Sequence, residues 1–448
     1  MNILVLNGSP KGENSITLQT IHYLEKLFPE HHFEIVHAGQ KINTIKRNFD
    51  SLRHQIEQAD LLLFSYPVYT FLAPSQLHEL IHCMKQNNLD LNGKYATQIT
   101  TSKHFYDVTA HTYIEDNCHD LNLKIIKGLS ADMEDLTIPK GQKEAEEFFE
   151  YVVWCMEHDI CEPHKNKAAT TPCVLASLTE NILPKKQKNV VIVTDFKEEN
   201  ESLKRMIERF QQKVSVETNV VNLNKIRIDG GCLGCFGCAA DGKCIYKDKF
   251  DELLRDNIQK SDAIIYAFTI QDHSMGPLFK RYDDRQFCNG HRTVTMGTPI
   301  GYLISGNLSK EENLRMVLEA RANVGGNFLA GIATDEFNPD QQIDQFAMKL
   351  DYALKKQYVQ PSNFYGVGGM KIFRDLIYQM QGMMKADHKF FKAHGQYDFP
   401  QNNRIKIMAM YLVGFMMTNK TIKAKIGSKM TEGMLMSYKK VLNDLDKK

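Results

Sequence analysis

One alternation of short apolar strands with helix-length intervals runs through this chain twice, and nothing else in the sequence constrains its fold as strongly. Asn2 to Leu6 (NILVL) leads through a turn into a helical pattern from Ser15 to Leu27, and HFEIVHA, Asp60 to Phe64 and Tyr95 to Thr100 follow at similar spacing. The pattern restarts at Asn189 to Val193 (NVVIV), with a helix across Glu201 to Phe210, then VSVETNVVNL, a helix around Phe250 to Gln259, Asp262 to Phe268 (DAIIYAF) and Gly301 to Ser305. Strands separated by helices imply a parallel sheet covered on both faces. The unit at 2–27 pairs with 189–210, and the unit at 59–64 with 261–268, so an internal duplication of one α/β domain is the economical reading.

Residues 156–187, rich in polar residues, proline and lysine, read as a linker. The region after about 355 breaks the repeat, and 11 of the 20 methionines fall in its helical spacing, which marks adaptable packing rather than a cofactor box. A net charge of +1 gives no reason to expect a nucleic-acid partner. The apolar stretch from Ile405 is too short to span a bilayer, so no membrane span is expected and a buried or surface-docked helix is the better reading. The N-terminus has no basic leader, and ten cysteines are too few for a secreted disulfide scaffold of this length. Both points favour a reducing, cytoplasmic setting, where a tight cysteine group reads as a metal site or a redox loop.

The most informative loop of the first repeat is LNGSPKGENS, Leu6 to Ser15, between the first strand and the first helix. Doubly wound sheets bind ligands in that crevice. Ser9, Asn14, Ser15 and Thr17 offer polar groups beside free helix amides, and Lys11 adds a positive charge, which together suit a terminal phosphate. The loop is neither GxGxxG nor GxxxxGK[ST], which disfavours a dinucleotide or triphosphate fingerprint. SYPVYTFL, Ser65 to Leu72, and TSKHFYD, Thr101 to Asp107, bring aromatic and polar groups to the same sheet edge. One phosphate loop and two aromatic loops describe a site for a long, flat, monophosphorylated ligand.

NGSPKGENS, SYPVYTFLAPSQL and TSKHFYD resemble the three flavin loops of the flavodoxin-like NAD(P)H-dependent FMN reductases and quinone reductases over residues 1–150. The resemblance implies that Ser9, Lys11, Asn14, Ser15 and Thr17 hold the FMN phosphate. It implies that Pro67, Val68 and Tyr69 line the isoalloxazine, with Thr101, Ser102 and His104 on its far side. No side chain is expected to be catalytic, since hydride chemistry belongs to the ring. The fold expected is α/β, with two flavodoxin-like doubly wound parallel-sheet domains in tandem plus a helical C-terminal extension. Its parts are an FMN-binding domain at 1–155, a linker at 156–187, a second, degenerate domain at 188–355 and the extension at 356–448.

The second repeat resembles iron–sulfur flavoproteins and their cluster-free relatives. CLGCFGCAADGKC places Cys232, Cys235, Cys238 and Cys244 in their CxxCxxCx5C spacing. Four thiolates so spaced reach one soft centre, and short intervals suit an iron–sulfur cluster such as [4Fe–4S]. Structural zinc, which draws two knuckles on a longer arm, is less favoured. The metal-free loop folded over a flavin stays open as the third state. The second phosphate-loop position, TDFKEENESL, lacks glycine and carries four carboxylates, which disfavours FMN there. Cys288, three residues before His291, reads as ordinary burial or a loop position. The function expected is an FMN-dependent NAD(P)H oxidoreductase passing electrons to a quinone, another small acceptor or a redox protein, assembled as a homo-oligomer. The alternatives are an iron–sulfur flavoprotein electron carrier and a non-enzymatic flavodoxin-like binding protein.

Overall fold

A computed structural model describes residues 1–87, 89, 91–159, 161–162, 186–359, 364–419 and 421. Most of the expected linker, with Cys173, and the end of the C-terminal extension lie outside them. The chain divides into a large unit, Met1–Phe390, and a small one, Phe391–Lys448.

The large unit contains two parallel sheets. The first consists of β1 (Asn2–Asn7), β2 (His32–Val36), β3 (Leu61–Pro67), β4 (Tyr95–Ser102) and β5 (Lys124–Ile125), with β6 (Leu129–Asp132) also on β4; the order is β2-β1-β3-β4-β5. Its helices are α1 (Ile16–Leu27), α2 (Ala38–Arg47), α3 (Asp50–Gln58), α4 (Ser75–Gln86), α5 (Asp107–Asp120) and α6 (Pro139–Glu157). The second sheet consists of β7 (Lys186–Thr194), β8 (Val216–Asn222), β9 (Ala263–Thr269), β10 (Ile300–Ser305) and β11 (Leu329–Thr334), in the order β11-β10-β9-β7-β8. Its helices are α7 (Glu201–Lys213), the short α8 (Gly237–Asp241) and α9 (Phe250–Leu253), then α10 (Gly276–Arg285), α11 (Glu312–Gly325) and α12 (Pro339–Lys356). Counted from the first strand of each sheet, both orders are 2-1-3-4-5, the flavodoxin-like winding. The tandem α/β fold expected from the repeat is therefore present.

Alternation along the strands divides the core into layers. Ile3, Val5, Leu61 and Leu63 pack outward under α1 and α6, while Leu4, Leu6, Leu62 and Phe64 face inward. In the second sheet Val190 and Ile192 face α7 and α12, and Val191 and Val193 turn inward. The two inward faces belong to one continuous apolar core, so the halves are packed against each other rather than strung apart.

The packing is pseudo-symmetric. α4 lies on α10 and α5 on α11, equivalent elements of the two repeats. The turns leading into α4 and α10 also match. Thr70 and Phe71 have φ of 44° and 69°, Asp272 and His273 have 51° and 57°, and the bridges Tyr69–Leu72 and Gln271–Ser274 close the two turns. Each turn docks on the opposite half: Thr70 donates to Asp284, while Asp272 pairs with His82 and Lys85.

His273 joins Asp120 of α5 to Glu311 of its own half, at 2.7 and 2.9 Å. Burial would lower its pKa, but the hydrogen bonds to Asp120 and Glu311 outweigh that and raise it to about 9. A raised folded value means the stabilisation is complete below the unfolded pKa of about 6.5 and is lost as pH rises through about 9. We therefore expect His273→Gln to flatten the decline in stability between pH 6.5 and 9.5, measured by urea unfolding across that range. A decline of unchanged size in the variant would refute the assignment.

Beyond the second sheet, α13 (Phe364–Gln379) and α14 (Lys385–Ala393) follow, and the small unit contains α15 (Arg404–Met416). Among the described residues no helix is long and apolar enough to cross a membrane.

Candidate functional site

The first repeat builds a concave edge from its three loops. At the end of β1, Asn7 Oδ1 accepts from Ser9 N at 3.1 Å, and Asn7 Nδ2 donates to Gly12 O at 3.0 Å, which folds the loop into a short helical turn at Gly12–Asn14. Gly39 packs so closely that a Cβ there would lie 2.3 Å from Gly8 O. Ser15 is the N-cap of α1 but makes no capping hydrogen bond, although it is 2% exposed. An N-cap serine usually satisfies one of the free first-turn amides; here they stay open, beside Ser9 and Thr17, both buried. Lys11 has no carboxylate partner among the described residues, and its ammonium lies 5.8 Å from the Phe236 ring centroid. This donor set fits a phosphate dianion.

Strained backbone clusters around the same edge. Thr70, Phe71, His104 and Tyr106, all non-glycine, have φ between 44° and 69°, as does Phe236 of the cysteine loop. Such residues persist only where their surroundings over-determine them.

The cysteine loop of the second repeat closes over this edge. A Cβ on Gly234 would lie 2.1 Å from the Tyr69 hydroxyl, and one on Gly231 would lie 2.1 Å from Ser75 Oγ. No other residue would allow such contact with the first repeat. Arg285 anchors the loop from behind, pairing with Asp248 through 2.7 and 2.9 Å bonds and stacking 4.1 Å from the Tyr246 ring. Burial, reinforced by the neighbouring Cys232, Asp284 and Cys235, raises the Tyr69 pKa well above its usual value.

Together these elements enclose a cavity of about 430 Å³. It brings together Ser9, Lys11, Ser15 and Thr17, then Pro67, Val68 and Tyr69, then Thr101 and Ser102, and all four loop cysteines. Two expected residues are outside its lining. Asn14 is exposed on its turn. His104 sits at the rim, where Nδ1 contacts Asp107 Oδ2 at 2.9 Å.

The cavity also has walls that sequence reasoning missed. Cys288, 3% exposed, is a fifth thiol in the lining. Cys238 Sγ donates to the carbonyl of the adjacent Phe287 at 3.0 Å, and the Phe287 ring stands 5.6 Å from Tyr69. Phe373, Leu376, Met380 and Met384, from the region read as methionine-rich packing, close the outer side. Only the RQFCNGH stretch carried a signal, its Cys–His pair, and a pair alone is weak.

Among the described residues, the side chains that bring three ligand atoms within 4.8 Å of one another are Asp116, His273 and Glu311, not the loop cysteines. A zinc tetrahedron with bonds of about 2.3 Å would draw its sulfurs closer than that, so the loop is not folded as a closed zinc knuckle. His273 in this trio is already held between Asp120 and Glu311, the ion pairs that raise its pKa to about 9.

The equivalent edge of the second repeat is filled from within. The strand registers match Thr101 to Ser305, and one step beyond Ile304–Thr334 they match Ala131 to Asp335. Thr17 and Thr101 meet directly, Oγ1 to Oγ1, at 2.6 Å. Their counterparts Ser202 and Ser305 both donate to Asp335 Oδ2 instead, and Gly306 N donates to Oδ1 at 2.8 Å. Asn200 caps α7 by accepting from Leu203 N at 3.2 Å, whereas Ser15 leaves α1 open. Burial pushes Asp195, beside the same loop, up to about 7.

Residues 1–113 match the model of a family described as NADPH-dependent FMN reductase. An iron–sulfur flavoprotein of Archaeoglobus fulgidus is 26% identical over 193 residues, covering 41% of this chain and 84% of that protein. One from Clostridioides difficile is 34% identical over 70 residues, or 16% of this chain and 31% of the other. Among solved structures, an FMN-dependent NADH-azoreductase from Bacillus anthracis aligns at 14% identity with a TM-score of 0.29, covering 34% of this chain and 98% of that one. An NAD(P)H:quinone oxidoreductase from Methanothermobacter marburgensis aligns at 11% and 0.27, covering 37% and 99%.

Proposed function

We propose that this chain, which belongs to the flavodoxin-like FMN reductase superfamily, is an NAD(P)H-dependent oxidoreductase holding one FMN in its first repeat and reducing a quinone or similar small acceptor. The observation that carries the reading is the convergence of an open helix N-terminus, a Lys11 with no carboxylate partner among the described residues, and two strained aromatic loops on one cavity. In this reading Ser9, Lys11, Ser15 and Thr17 hold the phosphate, and Asn14 lies at its solvent side. Pro67, Val68 and Tyr69 border one edge of the ring, with Thr101, Ser102 and His104 at the other. The flavin, when bound, supplies hydride and single-electron chemistry. The chain orients it, and the cysteine loop and α13 keep water from the reacting face.

A second reading has its own support: Cys232, Cys235, Cys238 and Cys244 line the same cavity, and the Archaeoglobus relative is named an iron–sulfur flavoprotein. A cluster held there would sit beside the flavin and make the protein an electron carrier. The as-isolated anaerobic spectrum, with iron and labile sulfide analysis, separates the two. Flavin bands that bleach with NAD(P)H in iron-free protein support the reductase, and stoichiometric iron with no response to NAD(P)H supports the carrier. Protein that stays colourless after FMN is added refutes both.

A further inference from the structure

The outer wall of the cavity combines an apolar surface with a buried polar pair for which the reading so far has no use. Gly366 and Gly369 let α13 approach closely: a Cβ on the first would lie 2.6 Å from Asn323 O, and one on the second 2.7 Å from Val324 and 3.0 Å from Phe105. Phe373 then packs 4.6 Å from Phe105, the aromatic of the loop after β4, and 4.9 Å from His291. His291 therefore lies one ring away from the proposed flavin edge and lines the cavity itself.

Behind His291 is Asp387, completely buried. Arg292 donates to Asp387 Oδ1 at 2.9 Å, and Gly290, at φ +60°, leaves room that a Cβ, 2.4 Å from that oxygen, would take. Asp387 Oδ2 lies 3.6 Å from His291 Nδ1, and both atoms are buried without a hydrogen-bond partner among the described residues. A buried polar pair left unsatisfied is costly and calls for a functional reason. The surrounding Phe373, Leu376, Met380 and Met384 offer a flat, adaptable apolar face.

We propose that this end of the cavity receives a planar apolar carbonyl acceptor of the quinone class, and that His291, positioned by Asp387, donates the proton to its oxygen. The proposal rests on the reductase reading above. Conversion of a quinone to a hydroquinone takes two electrons and two protons. A bound reduced flavin would supply both electrons and one proton as hydride, and His291 would pass the second proton to the remaining oxygen anion. His291 then regains a proton from water.

The test uses the FMN-loaded protein, photoreduced without nicotinamide and mixed with either benzoquinone or ferricyanide, which takes single electrons and no proton. His291→Phe and His291→Gln are both expected to slow reoxidation by benzoquinone about 100-fold and to leave that by ferricyanide unchanged. A second readout needs no flavin: the absorption band of 4-nitrophenolate should shift on binding to flavin-free wild-type protein and not to His291→Phe. Wild-type rates with benzoquinone in both variants, or an equal loss with ferricyanide, would overturn the proposal. Normal photoreduction and reoxidation in a wild-type protein that NAD(P)H cannot reduce would instead count against the reductase reading alone.

Discussion

Asp284→Ala is expected to cost about 3–5 kcal/mol of stability, the range for breaking one side of a buried ion pair. Asp284 and Lys280 are both wholly inaccessible, on successive turns of α10. Burial raises the Asp284 pKa, and Lys280 opposes that by favouring the carboxylate. The carboxylate also accepts from Ser75 N at 2.7 Å, at the start of α4, and from Thr70 Oγ1 at 3.0 Å. Lys280 donates in turn to Tyr69 O at 3.0 Å and Thr70 Oγ1 at 2.7 Å. Removing the carboxylate leaves the buried ammonium with Asp283 Oδ2, at 3.7 Å, as its remaining carboxylate among the described residues, and takes the acceptor from the Ser75 amide at a helix N-terminus in the junction between the halves. Because the same contacts hold the Tyr69–Thr70 turn, flavin affinity should fall with stability. Urea unfolding checks the first effect, and a loss under about 1 kcal/mol would show that water or another group compensates. The double change Asp284→Leu with Lys280→Met should recover much of the loss, since apolar replacements of a buried pair are often neutral.

The junction carries a sign of how two repeats can improve on two identical chains. The matched turns equate Tyr69 with Gln271, and counting on from them equates Glu79 with Arg281. Arg281 pairs with Glu79 across the junction, and Lys46 joins Glu79 at 2.8 Å. In an isologous dimer of identical chains a residue on the axis faces its own copy, so a charge there would meet a like charge. Duplication within one chain removes that constraint and lets an attractive pair occupy the axis.

The sheets were legible in the sequence because short, near-continuous apolar runs separated by helix-length intervals report burial on both faces directly. The phosphate-type loop was legible for a similar reason: NGSPKGENS concentrates its chemistry within one strand–helix junction. What could not be read depends on contacts between distant segments. Ala131 and Asp335 are ordinary residues at a strand end until the register places each beside a hydroxyl. Cys288 gains meaning only because Phe287 accepts from Cys238. Of the C-terminal methionines, Met384 is buried and lines the cavity with Met380, whereas Met383, Met408 and Met410 are exposed. Hydropathy does not distinguish those situations. The cysteine loop was legible as a motif and not as a position, because its placement over the first repeat depends on Gly231 and Gly234 meeting Ser75 and Tyr69.

The Asp335 carboxylate sets the other large expectation, a flavin content of one per chain that falls to zero when Ser9 and Ser15 are both replaced by alanine. Each hydroxyl can give a phosphate dianion a hydrogen bond worth about 1.5–3 kcal/mol. Losing both should therefore weaken FMN binding roughly 10²- to 10⁴-fold. The second repeat cannot compensate. Ser202 and Ser305 already donate to Asp335, and Asn200 already caps its helix. Changing Glu198 and Glu199 to glutamine should leave the affinity unaltered, because it adjusts charge beside an edge that is already filled. Fluorescence titration of flavin-free protein with FMN measures both variants. Two flavins per wild-type chain, or an unchanged dissociation constant in the double serine variant, would show that the phosphate lies elsewhere. Selective loss in the serine variant would place the flavin in the half that lacks the cysteine loop, under a loop contributed by the other half of the same chain.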